Sequence, residues 1–210
     1  MNRVDIQIDN PQGEVRIVFA HGAGAGLRSD FMQFVALGLA MHGFEVVRFN
    51  FPYWQQFVDT GTRRPPNPMP QLCHAMQHVV EEVTQSTNKP LILMGKSMGA
   101  RVAFQTAIAT QPLTCVGLGF PFHPPGKPDK TRLSDLANPC RNNLVLQGDR
   151  DSFGKPAEVA SYPLPTNVTL HWLLGGDHSF TPTKRSGLNR DQLWQQAIDL
   201  SAAHIQQQLT

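Results

Sequence analysis

The segment LILMGKSMGARV, residues 91–102, places a serine where its hydroxyl can act as a nucleophile. A short apolar run ends at Gly95, and Gly95, Ser97 and Gly99 complete the pattern Gly-x-Ser-x-Gly before helix-forming residues begin. This pattern between a strand and a helix is typical of a nucleophile elbow, a sharp turn that exposes the serine hydroxyl. The glycines allow close backbone approach, and the helix start offers N–H groups and a partial positive charge to a developing oxyanion.

The same residues also contain Gly-Lys-Ser, the end of a phosphate-binding loop, and this alternative needs a test. A phosphate-binding loop requires a glycine five residues before Gly95, and that position holds Pro90. Residues 90–94 are typical of a strand rather than of a glycine-rich loop. Too few backbone N–H groups are therefore available to surround a phosphate, and the elbow interpretation is favoured.

An elbow serine needs a general base and a carboxylate that orients the base. In this type of site the chain order is serine, then Asp or Glu, then His. The base candidate is His178, in the segment GGDHSF. The carboxylate candidates are Asp149, Asp151 and Asp177, all of which follow predicted strands. The carboxyl ends of parallel strands meet at one edge of a sheet, where the active sites of such sheets collect.

An oxyanion formed by attack of the serine requires two N–H donors. The residue after the nucleophile supplies one, which is Met98 here, and a loop after an early strand supplies the other. The segment HGAGAG, residues 21–26, occupies that second position, and Ala23 is the predicted donor with Gly24 as the alternative. His21 is interpreted as a brace for this loop rather than as a second base.

Several other polar residues lie near these motifs. Lys96 can attract an anionic substrate, but a solvated side chain is the favoured interpretation. Arg101 shares a helix face with Ser97, four residues away, and bracing a neighbouring loop is favoured over recognition of a carboxylate. The residues that we expect as possible contributors to the pocket are His21, Gly24 and His123.

Metal and disulfide chemistry are not expected. His74 and His78 have the spacing of helical metal ligands, but residue 75 is alanine where a zinc protease needs glutamate. The three cysteines are odd in number and widely spaced, which favours ordinary thiols in a reducing compartment. The sequence therefore predicts a cytoplasmic protein without metal or organic cofactor.

Strand-like and helix-like segments alternate along the chain. This alternation predicts a mostly parallel central sheet with helices on both faces, without a large cap domain. Two long loops, 52–70 and 121–138, are the candidates for a lid. The predicted strands are 4–8, 15–20, 44–51, 91–94, 115–121, 143–148 and 168–174, and the predicted helices are 30–43, 71–86, 98–110 and 188–208.

The whole chain fits a single soluble domain. Its 210 residues, 40% of them hydrophobic, suffice for one core, and we expect one domain over residues 1–210. The net charge of +2 comes without a block of lysine and arginine, so a dedicated nucleic-acid binder is not expected. No run approaches the roughly 20 apolar residues of a membrane span, and the polar N-terminus lacks the apolar core of a signal peptide.

Five segments together resemble the α/β-hydrolase superfamily, in its compact dienelactone-hydrolase-like branch. They are also similar to a small family grouped with testis-expressed protein thirty and a subunit of the non-specific lethal chromatin complex. The resemblance implies an α/β-hydrolase fold and selects Asp151 as the acid, through the Gly-x-x-Asp pattern from Gly148. Asp149 is then a turn former, and Asp177 a loop hydrogen-bond acceptor. The segments are HGAGAG (21–26), GKSMGAR (95–101), FPFHPPGKP (120–128), LVLQGDRDSFG (144–154) and GGDHSF (175–180).

These observations predict a serine hydrolase that acts on a small-molecule acyl substrate. Ser97 would attack a carbonyl, with His178 as base, Asp151 as its partner, and the Met98 and Ala23 amides as oxyanion donors. A carboxyl ester is the leading bond type and a thioester the second. The alternative is a non-catalytic interaction module, because the resembling family includes a member that works as a complex subunit.

Overall fold

The computed structural model describes residues 5–85 and 87–210. The start of the predicted strand at residue 4 and the end of the predicted helix at residue 86 lie outside the described residues. The strands are Ile6–Asp9 (β1), Arg16–Ala20 (β2), Glu45–Phe49 (β3), Leu91–Lys96 (β4), Thr114–Leu118 (β5), Asn143–Gly148 (β6) and Val168–Leu173 (β7). The helices are Asp30–Met41 (α1), Pro52–Thr60 (α2), Met69–Thr84 (α3), Met98–Thr110 (α4), Pro156–Val159 (α5) and Arg190–Gln207 (α6), with a 3₁₀ turn at Leu133–Leu136.

The seven strands form one sheet in the order β1-β3-β2-β4-β5-β6-β7. Every neighbouring pair is parallel except β1 and β3, which pair antiparallel at one edge. Strands β2 to β6 are buried almost throughout, as expected for parallel strands that helices cover on both sides. The parallel arrangement brings the carboxyl ends of β2, β4, β6 and β7 to one edge.

Two hydrophobic cores lie on the two faces of this sheet. Helices α1 and α6 pack against each other on one face, where Leu39 and Ile198 are fully buried. Helices α3 and α4 pack on the other face, where Val79 and Phe104 are fully buried. The predicted fold class, a mostly parallel α/β-hydrolase sheet without a large cap domain, is confirmed for the described residues. No helix among them is both long and apolar enough to cross a bilayer.

The prediction of an irregular loop over residues 52–70 is wrong for its first half, which forms α2. Pro52 stands at the first helical turn, where a proline loses no hydrogen bond. Gly61 ends the helix in the left-handed conformation, with φ of 71°, and its N–H donates to the Phe57 carbonyl at 2.8 Å. Prolines that suggested a loop therefore mark a helix start. The other candidate lid, residues 121–138, contains only the 3₁₀ turn as regular structure.

Candidate active site

Ser97 lies in a sharp turn between β4 and α4, with φ of 54° and ψ of −116°. A Cβ at Gly95 would lie 2.1 Å from the carbonyl carbon of Gly99, and one at Gly99 would lie 2.3 Å from the Ala20 oxygen. Only glycine fits at both positions, because strand and helix backbones touch there. The Ser97 N–H donates to the Leu118 carbonyl at 2.9 Å, which fixes the turn to β5.

The structure brings the three predicted triad residues together. Ser97 Oγ lies 2.8 Å from His178 Nε2, and His178 Nδ1 lies 2.7 Å from Asp151 Oδ2. A carboxylate next to Nδ1 keeps the proton on that nitrogen, so Nε2 has a free lone pair for the serine proton. The residues predicted as nucleophile, base and orienting acid thus form one continuous chain of hydrogen bonds.

Asp151 is held in a turn after β6 and is completely buried. Its Oδ1 accepts the Phe153 N–H and its Oδ2 accepts the Gln147 side-chain amide, both at 2.8 Å. These two donors fix the orientation of the carboxyl group beside His178. Gln147 escaped the sequence analysis. Its signal is a polar residue directly after the apolar run 144–146 of strand β6.

The two other carboxylates have loop roles. The Asp149 carboxylate accepts the Gly175 N–H at 2.7 Å, which links the turn after β6 to the turn after β7. The Asp177 carboxylate accepts the N–H groups of Ser179 and Thr181 at 2.8 and 2.9 Å. These bonds shape the loop that carries His178.

The electrostatic surroundings keep the imidazole of His178 neutral near pH 7. Burial and then the positive charge of Lys96 lower the pKa of His178 below its ordinary value, while Asp151 and Asp177 act in the opposite direction. A neutral imidazole can accept the proton of Ser97, which an imidazolium cannot. The arrangement therefore suits a general base at physiological pH.

Lys96 corrects the expectation of a solvated side chain, because only 9% of it is exposed. Its Nζ donates to the His178 carbonyl at 2.7 Å and lies 5.7 Å from the ring centres of Phe31 and Phe180. Burial lowers the pKa of Lys96 to about 8, although Asp151 and Asp177 raise it. The Lys96 side chain therefore anchors the loop that carries His178 to the turn at Ser97.

Two cavities meet at Ser97, Ala23 and Phe153. The first cavity has a volume of about 440 Å³ and is walled mainly by residues 22–25, Phe31 and Met32. The second cavity, of about 360 Å³, is lined by Pro66, Asn67, Met69, Leu72, Met98, Arg101, Pro121 and Arg132 besides the shared residues. Within the described part of the chain, the Ala23 and Met98 N–H groups donate to no protein acceptor. Both predicted oxyanion donors are therefore available beside the nucleophile.

A family model described as an alpha/beta hydrolase domain matches residues 13–206. The chain belongs to this family. No curated protein matches the chain.

Solved structures of α/β-hydrolases share the fold of this chain at low sequence identity. A serine hydrolase without a lid from Xanthomonas campestris is 21% identical, with a TM-score of 0.65 over 98% of this chain and 88% of that one. A dienelactone hydrolase from Anabaena variabilis is 18% identical, with a TM-score of 0.70 over 95% of this chain and 89% of that one. A serine hydrolase homologue from Coxiella burnetii is 17% identical, with a TM-score of 0.69 over 96% and 91%.

In this α/β-hydrolase domain, the three expected pocket residues have different positions. Gly24 lines the first cavity. His21 is fully buried behind the loop; its Nε2 accepts the Phe51 N–H at 3.1 Å, and burial lowers its pKa to about 4. The expectation that His21 contributes to the pocket is therefore wrong, and its position agrees with the interpretation of His21 as a brace for the loop.

His123 also lies behind the cavity walls. Only 1% of this residue is exposed, and its Nδ1 lies 2.8 Å from the Pro124 carbonyl oxygen. Its ring packs edge-on against Tyr162 and lines neither cavity. The expectation that His123 lines the pocket is corrected accordingly.

Phe153 is a cleft residue that sequence reasoning missed. It lines both cavities, and its ring centre lies 4.3 Å from that of His178. Its only sequence signal is its place two residues after Asp151.

Over residues 5–85 and 87–210, no group of three or more His, Cys, Asp or Glu side chains is arranged to hold a metal ion.

Proposed function

We propose that this α/β-hydrolase domain is a serine hydrolase that cleaves a small carboxyl ester, or a thioester, through an acyl-enzyme on Ser97. The observation that carries the proposal is the hydrogen-bonded chain from Ser97 through His178 to Asp151. The strained serine turn supports it as well, since backbone strain of this kind is concentrated at functional sites. The dienelactone hydrolase among the fold neighbours is named for a lactone, which is a cyclic ester.

The first half of the reaction forms the acyl-enzyme. Ser97 Oγ attacks the substrate carbonyl carbon while His178 Nε2 takes the hydroxyl proton. Asp151 stabilises the imidazolium that results. The N–H groups of Met98 and Ala23 donate to the tetrahedral oxyanion, and removal of one such donor typically slows turnover about 10²- to 10³-fold. His178 then protonates the leaving alcohol or thiol, and the carbonyl re-forms.

The second half repeats the chemistry with water. His178 takes a proton from water while the water oxygen attacks the acyl carbon. Collapse of the oxyanion then breaks the bond to Ser97 Oγ, which receives the proton back from His178, and releases the carboxylic acid. No step of this proposal uses a metal or an organic cofactor. We also propose that the chain is related to the small family of testis-expressed protein thirty and that residues 1–210 form a single domain. In this proposal the protein acts on small molecules in the cytoplasm, without nucleic-acid or membrane partners.

A fluorophosphonate probe tests whether Ser97 is the nucleophile. We expect covalent labelling of the wild type and of Ser161→Ala, a control that removes an exposed hydroxyl outside the cleft. Ser97→Ala should remain unlabelled. A folded wild-type protein that takes no label would contradict the hydrolase proposal and favour the non-catalytic interaction module.

The bond type is tested with paired substrates. p-Nitrophenyl esters and p-nitrothiophenyl thioesters with the same acyl groups, in graded chain lengths, are compared by kcat/KM. We expect Ser97-dependent turnover with oxygen esters ahead of thioesters. A reversed order would make thioesters the substrate class while leaving Ser97 as the nucleophile.

A further inference from the structure

The second cavity places two arginines beside the nucleophile. Arg101 and Arg132 line it together with Ser97 and Met98, and none of its lining residues is acidic. Arg101 lies four residues after Ser97 on α4, while Arg132 comes from the loop that precedes the 3₁₀ turn. Two distant parts of the sequence therefore bring cations to the same wall of the cleft.

Most of the hydrogen-bonding capacity of these guanidinium groups is unused. Within the described residues, Arg101 donates only through Nε, to Asp135 Oδ2. Asp135 is itself held by the Gln105 side-chain amide at 2.6 Å. Arg132 donates only through Nη1, to the Pro121 carbonyl at 3.3 Å. The remaining N–H groups of a planar guanidinium fork match the geometry of a carboxylate.

The charge balance of this wall also favours an anion. Arg101 and Arg132 carry two positive charges, and Asp135 offsets one of them, which leaves an excess of one. Burial and then the Arg101 charge lower the pKa of Arg132, and the Asp135 carboxylate compensates only in part. A partly buried cation that repels its neighbour is stabilised when an anion binds between them.

The first cavity differs, since it is lined mainly by residues 22–25, Phe31 and Met32, and the cation in its lining, Lys96, already donates to the His178 carbonyl. Ser97 thus stands between an apolar wall and a cationic wall. We propose that the second cavity is a subsite for one carboxylate group carried by the substrate, with Arg132 and the free nitrogens of Arg101 as its donors. This inference rests on the proposed hydrolase function and gives the substrate class: an ester of an acid or alcohol that also bears a carboxylate.

Matched ester pairs test this proposal. One pair is mono-p-nitrophenyl glutarate and its methyl ester, with the charge in the acyl group. The other is 4-acetoxybenzoate and methyl 4-acetoxybenzoate, with the charge in the leaving group. We expect kcat/KM to favour the anionic member of one pair by about 10- to 100-fold, the range of charge-assisted hydrogen bonds. The favoured pair shows which part of the substrate enters the second cavity.

Variants test whether the preference for the anionic ester arises in the second cavity. Arg132→Gln should reduce the anionic-to-neutral ratio about tenfold or more, and Arg132→Lys should fall between it and the wild type, because it keeps charge but loses the planar fork. Arg141→Gln removes the same charge from an exposed position before β6, at the opposite edge of the sheet, and should leave the ratio unchanged. In the wild type the ratio should also fall as sodium chloride is raised, a measurement that does not depend on the folding of any variant.

The outcomes separate this inference from the proposed function. Ser97-dependent hydrolysis of the neutral esters without preference for either anion overturns the subsite and leaves the hydrolase intact. A preference that survives Arg132→Gln and high salt also overturns the subsite. Absence of Ser97-dependent hydrolysis of all four esters overturns the hydrolase proposal, and the subsite inference with it.

Discussion

Buried charges are paired differently at the two ends of the parallel strands, which we call the amino edge and the carboxyl edge of the sheet. At the amino edge, Arg16 and Glu45 start adjacent strands and form an ion pair with side chains 5% and 4% exposed. The second Glu45 oxygen accepts from Lys89 at 2.6 Å, and the Arg16 guanidinium also donates to Thr87 Oγ1 at 2.7 Å. At the carboxyl edge, Lys96 is also buried, but its Nζ donates to the His178 carbonyl oxygen rather than to a carboxylate.

This difference separates stability from function. The amino edge pairs its charges, so each partner there lowers the cost of burying the others. The carboxyl edge keeps a cation beside His178 and a serine in a strained turn, which costs stability and, under the proposed function, tunes His178 as the base. Proteins depart from local consistency mainly at functional sites, and variants at matched positions of the two edges test this difference.

The largest effect is expected for Asp151→Asn. An amide cannot stabilise the imidazolium and favours the wrong tautomer of His178, so kcat should fall by about 10⁴-fold. The matched control is Asp149→Asn, two residues earlier, whose carboxylate accepts only a loop N–H. Steady-state kinetics should show less than a tenfold loss for the control. Equal losses in both variants would mean that the turn, rather than the carboxylate beside His178, matters for turnover.

At the amino edge, Glu45→Gln should act on stability instead of activity. Loss of this carboxylate leaves the buried Arg16 guanidinium without an anionic partner and removes the ion pair of Lys89, which should lower the free energy of unfolding by about 3–5 kcal/mol. Urea denaturation measures this change, and kcat of the folded protein at low temperature should stay within about twofold. A large loss of kcat in a folded variant would contradict the division between the edges.

The same variant has a defined pH dependence. Burial alone would raise the pKa of Glu45, but its hydrogen bonds and ion pairs with Arg16 and Lys89 lower it below the ordinary value of 4.5. A carboxyl with a lowered pKa stabilises the fold above its unfolded-state pKa, and this contribution is lost as pH falls through the folded-state pKa. The stability difference between wild type and Glu45→Gln should therefore be full at neutral pH and shrink on acidification below about 4.5.

The sequence was informative about the reactive residues because motif order and strand ends are local properties. The segments around Ser97, Asp151 and His178 each follow a strand, and parallel strands bring such ends to one edge. Helix α2 was missed because Pro52 fits both a loop and a first helical turn. The burial of Lys96 and the place of Arg132 depend on the conformation of the His178 loop and of residues 121–138. Such contacts join distant parts of the chain, so no local pattern encodes them.

Lys96→Met should move the acid limb of the pH profile for kcat/KM. Removal of the positive charge raises the pKa of His178, because burial remains while Asp151 and Asp177 are no longer opposed by Lys96. The base then becomes active only at higher pH, so the acid limb shifts upward. Lys89→Met, at the amino edge, removes the same charge far from His178 and should leave the limb in place. Equal shifts in both variants would show a general charge effect instead of a local effect of Lys96 on the pKa of His178.

The smallest effect concerns the backbone of Ser97, and the two ends of α4 provide the comparison. Gln111 after the helix has φ of 47° and ψ of 56°, in the left-handed well that helix ends commonly use. Ser97 before it has a similar φ with ψ of −116°, outside that well. Ser97→Ala and Ser97→Gly both remove the hydroxyl and its bond to His178, so their difference in stability reports the strain that glycine relieves, less the extra entropy of glycine in the unfolded chain. We expect urea denaturation to give the glycine variant a free energy of unfolding about 1–2 kcal/mol higher than that of the alanine variant. A glycine variant no more stable than the alanine variant would mean that the strain of the turn is no larger than the entropy cost of glycine.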